Sequence, residues 1–225
     1  MKKHLLFILC VWLLVACAAQ QKESTKKDRP SLKERFKTGV ISLRQAGLFE
    51  DYKSLSDDSL TQLLSSMAAE QHLWEVFETY DSTQDGDYIN LKIAQLDPKR
   101  VWWHDLEADV LNGNMVYAST VKEFVELSGG YLRAEKIKEE WETDNGPVHI
   151  SFQDGETLRA FQLRSIDDWY DEDFFSYMEK FMTANGSPYN FYIYVGTGQD
   201  VFLIRLTKAE KEMVEQKMRW KLERF

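Results

Sequence analysis

From Leu32 onward, apolar positions recur at helical spacing through the first part of the chain and alternate with polar ones later. Leu32, Phe36, Val40 and Leu43 share one helical face, and Gly47 ends it. Leu60, Leu64, Met67, Trp74 and Phe77 fall roughly on the face of a second helix. Ser56 caps it, acidic residues fill its first turn, and the pattern carries it to about Glu78. Ile89, Leu91 and Ile93 alternate with polar residues and predict a strand, and Arg100 to Leu106 predicts a second. Val121, Phe124 and Val125 place a helix over about Tyr117 to Leu127, stopped by Gly129-Gly130. Ile137 and Trp141, one helical turn apart, predict a shorter helix that ends near Asn145-Gly146-Pro147.

The clearest pattern follows. Val148, Ile150 and Phe152 alternate, Asp154-Gly155 is a tight-turn dipeptide, and Glu156 to Leu163 returns as the partner strand. Phe174, Met178 and Phe181 stripe a helix over about Asp171 to Ala184, with Asn185-Gly186 and Pro188 as stop signals. A second hairpin spans Asn190 to Leu206 around Gly196-Thr197-Gly198. Thr207 and Glu210 form a capping-box pattern that opens the last helix, striped by Val214, Met218 and Leu222. The C-terminal half therefore reads β-β-α-β-β-α. The fold class is α+β, with a helical N-terminal part and antiparallel hairpins gathered in one sheet packed by helices.

Ahead of this domain, Lys2 and Lys3 precede an apolar run from Leu5 to Ala16, a secretory signal layout too short for the roughly 20 residues of a membrane span. The run closes on Leu14-Val15-Ala16-Cys17, which resembles the lipobox of bacterial lipoproteins. The resemblance implies that residues 1–16 are removed, that Cys17 is acylated, and that its diacylglycerol and N-acyl chains anchor the protein to a membrane. It also implies that Ala18, in place of Asp, sends the protein to the outer membrane in a two-membrane cell. Ala16-Cys17-Ala18 also fits ordinary signal-peptidase cleavage, which would release a soluble protein. Cys10 is the one other cysteine and lies in the discarded run, so acylation of Cys17 leaves a head without thiols or disulfides. Residues 18–31 are polar and aperiodic, a tether of about 14 residues reaching roughly 20 Å. Residues 32–225 then make a single domain.

Charge narrows the partners. The formal charge is −9, and loss of Lys2 and Lys3 takes it to −11, which disfavours nucleic acid and anionic lipid surfaces. No phosphate-binding glycine loop, nucleophile elbow or spaced zinc ligands occur, so the sequence implies no cofactor. Asp81 to Asp87 has a calcium-loop flavour, but Lys92 stands where a bidentate Glu would close the shell.

Two segments carry candidate chemistry. Trp102, Trp103, His104, Asp105 and Glu107 could line a pocket with His104 as a general base. Adjacent strand residues point to opposite faces, however, and a pair of core tryptophans beside a hydrogen-bonded histidine accounts for the same residues. Asp168, Trp169, Tyr170, Asp171 and Glu172 could dock a basic protein surface, with the aromatics as anchors; the same acids also suit a helix N-terminus. The expectation is a lipid-anchored, extracytoplasmic binding module that needs no catalysis. A hydrolase using His104, Asp105 or Glu107, or an inhibitor-like module with an acidic docking patch, are the alternatives.

Overall fold

Burying the striped faces just described requires several short helices to close over sheets. The computed structural model describes residues 30–83, 86–195 and 198–224. Cys17, the signal segment and almost all of the tether lie outside them, as do Gln84 and Asp85 of the calcium-like segment and Gly196-Thr197 of the second hairpin. The chain divides into a unit ending at Arg35 and a larger one from Phe36 to Phe225. In the first, Ser31 and Glu34 form a reciprocal cap. Ser31 N–H donates to Glu34 Oε2 at 2.7 Å and Glu34 N–H to Ser31 Oγ at 3.3 Å.

Among the described residues, seven α-helices and seven strands in two antiparallel sheets make an α+β fold. No described helix is long and apolar enough to cross a membrane. Helix α1 (Leu32–Gln45) is followed by a 3-10 turn (Glu50–Tyr52) and α2 (Asp57–Glu70), which the Ser56 side chain caps by accepting the Ser59 N–H. The long helix expected to Glu78 is broken. His72 turns left-handed at φ 55° and the chain resumes as α3 (Leu73–Thr83). The break lets Trp74 fold back, with its indole N–H on the Ser65 carbonyl at 3.2 Å and its ring 5.0 Å from Phe36 and 5.4 Å from Phe77.

Ile89, Leu91 and Ile93 are helical, in α4 (Gly86–Ala94), and not a strand. All three are buried, so this helix is covered on more than one face and its short apolar run fits either period. Gly39 permits the close approach of α1. A Cβ there would stand 2.6 Å from Asn90 Oδ1 and 2.9 Å from Ile93 Cδ1.

Strand β1 (Val101–Asp105) leads to α5 (Val116–Leu127) and then β2 (Ala134–Trp141), where a helix was expected. A register shift between Glu135 and Lys138, with Lys136 at φ 51°, rotates the strand so that Ile137, Glu139 and Trp141 form its inner row. The acid in the middle of that row hides the alternation and leaves two apolar residues at helical spacing. Buried Glu139 accepts the Ala118 N–H of α5 at 2.9 Å and the Trp141 indole N–H at 3.0 Å. It stands in for the cap that Met115, left-handed at φ 55°, does not supply.

The hairpin of β3 (Val148–Asp154) and β4 (Thr157–Leu163) pairs Ile150 with Phe161, as the alternation predicts. Helix α6 (Asp173–Ala184), β5 (Asn190–Tyr194), β6 (Asp200–Leu206), α7 (Lys208–Met218) and β7 (Leu222–Arg224) complete the chain. The expected single sheet is two, in orders β1-β6-β5-β7 and β2-β3-β4. One aromatic core serves both. Phe124 of α5 contacts Trp102 of β1, Phe191 of β5 and Phe174 of α6, which in turn contacts Phe161 of β4.

Candidate functional site

The alternation of β1 sorts the first candidate segment into two environments. Trp102 and His104 share one face, with rings stacked 4.4 Å apart at 19°. The Trp102 indole N–H donates to Glu123 Oε2 at 2.6 Å, and His104 Nε2 lies 3.4 Å from the same oxygen. Trp103 points the other way. Its N–H reaches Asp200 Oδ2 at 3.0 Å, and Lys92 Nζ sits 3.6 Å from its ring centroid. Burial against these rings lowers the Lys92 pKa, while Asp200 opposes the shift. Both tryptophans are buried. His104 is therefore paired with Glu123 of α5, a residue no local pattern links to it, and not with Asp105.

Asp105 ends the strand by turning the chain. Its Oδ1 accepts the Glu107 N–H at 2.9 Å, and Gln199 Nε2 reaches both Asp105 oxygens, at 3.0 and 2.9 Å, and Glu107 Oε2 at 3.3 Å. No local pattern marks Gln199 in the sequence. It arrives because β1 and β6 pair in the register Asp105–Asp200.

Beyond this turn, the first candidate segment meets the second. Ala108 and Val110 both donate their N–H to the Asp168 carbonyl at 3.1 Å, Tyr170 N–H donates to the Leu106 carbonyl at 2.9 Å, and Glu107 bridges Trp169. Asp167 and Asp109 adopt left-handed φ values of 50° and 52° on the two sides of this junction, a conformation that aspartate tolerates better than most side chains. Two segments far apart in the chain thus form one surface. It presents Asp105, Glu107, Asp109, Asp167 and Asp168 around Trp169, which is half-buried. Glu107, Asp109, Asp167 and Asp168 have no Lys or Arg partner among the described residues.

Tyr170 and Asp171 leave the predicted docking patch. Tyr170 is buried, its hydroxyl 2.6 Å from Thr120 Oγ1, and burial pushes its pKa up to about 12. Asp171 is 1% exposed. Its carboxylate accepts the Arg164 backbone N–H at 2.8 Å, Arg164 Nε at 3.1 Å and Nη2 at 2.8 Å, and the Asp173 N–H at 3.2 Å. Its own N–H donates to Tyr117 Oη at 2.7 Å. Both are framework residues. Of the predicted patch, Asp168, Trp169 and exposed Glu172 remain available to a partner. Nearby in the chain stand Leu111, Met115 and Ile166, all exposed apolar residues.

Among the described residues, no group of three or more His, Cys, Asp or Glu side chains is placed to hold a metal ion. Comparison of the chain with protein-family models, curated proteins and solved structures finds no match.

Proposed function

We propose that this protein is an extracytoplasmic bacterial lipoprotein, anchored through acylated Cys17, whose α+β head docks a protein partner with a basic surface. One observation carries the docking role. The Glu107–Trp169 bridge joins two acidic segments into a face whose carboxylates have no Lys or Arg partner among the described residues, set around a half-buried tryptophan. Such a face steers a cationic surface from a distance, and the indole gives it an apolar anchor on contact. The anchor rests on the lipobox resemblance of Leu14-Val15-Ala16-Cys17. Multiple acyl chains hold a head stably where one chain binds only marginally. With Ala18 after the cysteine, the outer membrane is the destination in a two-membrane cell.

Acyl labelling of the full chain in growing cells tests the anchor. Label that disappears in Cys17→Ser supports it; label that persists, or a native chain that takes up none, counts against it. Docking is tested by a photo-crosslinker placed at Trp169 or, as control, at Leu158, an exposed residue at the far end of β4. An adduct specific to the Trp169 position that weakens at high salt is expected; equal adducts from both positions would sink the docking face.

A further inference from the structure

Arg205 of β6 is 6% exposed and has no carboxylate within ion-pair distance among the described residues. Its Nε donates to the Lys99 carbonyl at 3.2 Å and its Nη1 to the Ser128 carbonyl at 3.3 Å, both long bonds. Nη2 meets no acceptor among the described residues. The guanidinium lies 4.1 Å from the centroid of the Tyr189 ring, and the Arg100 guanidinium lies 4.8 Å from the same ring. Arg100 is neutralised by Glu210 at 3.1 Å and Glu50 at 3.2 Å, whereas Arg205 feels Asp97 and Glu210 only through space. Nη2 is not sealed off from solvent, so this donor edge stays open to water or to a ligand.

That edge lines a cleft of about 460 Å³, large enough for a compact organic ligand. Gly129 makes the approach possible. At φ +65° it has no side chain, and a Cβ there would stand 2.8 Å from Nη1 and 2.9 Å from Nη2 of Arg205. Tyr131 and Tyr189, with centroids 6.2 Å apart, supply an aromatic wall. The remaining charges of the cleft nearly cancel. Lys99 pairs with Asp51 at 2.5 Å, and Glu50 is held by Arg100. What is left is one guanidinium edge and the exposed carboxylate of Glu126, which acts on Lys99 through space but has no hydrogen-bond or ion-pair partner among the described residues.

We infer that this cleft binds a small zwitterion of the amino-acid or short-peptide class, with its carboxylate on Arg205, its ammonium toward Glu126 and its side chain against Tyr131 and Tyr189. A plain anion would satisfy Arg205 but would meet the Glu126 carboxylate. A plain cation would leave Arg205 as it is. Only a ligand carrying both charges answers both residues. The planar fork of arginine suits a carboxylate, and its fixing against Tyr189 and Gly129 means little ordering remains on binding. The site is separate from the docking face and stands or falls without it.

Titration calorimetry of the full chain with L-phenylalanine, L-leucine and the dipeptide Gly-Phe tests the site, since each pairs both charges with an apolar side chain. Saturable binding of at least one is expected. Its C-terminal amide should then bind about tenfold to a hundredfold more weakly. Its N-acetyl form should lose about threefold to fivefold, as should the parent ligand on Glu126→Gln, whose side chain is solvent-facing and leaves the fold intact. Arg205→Lys should weaken the acid and not the amide; if that variant fails to fold, the acid-to-amide comparison on the native protein decides alone. Binding of none of the three probes, equal binding of acid and amide, or inorganic phosphate binding as tightly as the zwitterion would overturn the assignment.

Discussion

A charge buried in a protein persists when its partners replace the water it gave up, and Asp171 and Arg205 meet that demand in opposite ways. Burial alone would raise the Asp171 carboxyl, but the Arg164 side chain and the backbone N–H groups of Arg164 and Asp173 outweigh it and hold the pKa below the ordinary 3.8. The native state therefore prefers the ionised form. Its contribution is fully present above the unfolded carboxyl value and is lost as pH falls through the folded one. Asp171→Asn should destabilise by about 1–3 kcal/mol near neutrality, judged from the hydrogen bonds it loses. In urea melts the gap to the native protein should close on acidification, and a gap that stays constant with pH would show that the carboxylate charge is irrelevant. The sequence gives Asp171 the look of a surface acid, because its neighbours Glu172 and Asp173 are one. Nothing local reveals that Arg164, at the exit of β4, folds over it. Tyr170 reads as a surface aromatic for the same reason, since its partner Thr120 lies in a different element.

At the scale of elements, patterns with three or more apolar residues on one buried face are legible, and those with only two, or with apolar residues on several faces, are not. The β3–β4 hairpin, α5, α6 and the capped start of α7 follow the sequence because apolar residues dominate their buried faces, even where α5 buries Thr120 and α6 buries Glu179. Thr207 and Glu210 close their capping box as the spacing predicts, with N–H···O distances of 2.7 and 3.2 Å. Thr207→Ala should cost about 1 kcal/mol in a denaturant melt, and an unchanged midpoint would make the cap incidental. Strand β2 is hidden in the sequence because buried Glu139 sits in its inner row, and α4 because it is buried on several sides. Glu139→Gln keeps the shape but loses an acceptor for one of two N–H donors and brings a buried NH2 group. A loss of about 1–3 kcal/mol is expected in the same melt. A neutral outcome would mean that the α5 terminus finds another cap.

The molecule as a whole holds what no window of sequence could show. Two sheets share one aromatic core, and residues 106–110 meet 166–170 through a few local backbone bonds between segments that α5 and β2 to β4 separate in the chain. Both candidate segments were visible in the sequence as separate clusters; their meeting was not, nor were Gln199 and Glu123, which the β1–β6 register and helix α5 bring to them. The arrangement concentrates negative charge on one face of a head that is already acidic overall. Long-range steering by such a face is screened by salt over a Debye length of about 8 Å at physiological strength. Loss of its charges should therefore slow association more than it speeds release. The most direct test is the yield of the Trp169 photo-adduct in intact cells, compared between the native chain and the triple variant Glu107→Gln, Asp167→Asn, Asp168→Asn. A drop of about tenfold or more in the variant, matched by a similar drop for the native chain in high salt, is expected. An adduct that forms equally in both proteins and at any salt would contradict a docking face built on these carboxylates.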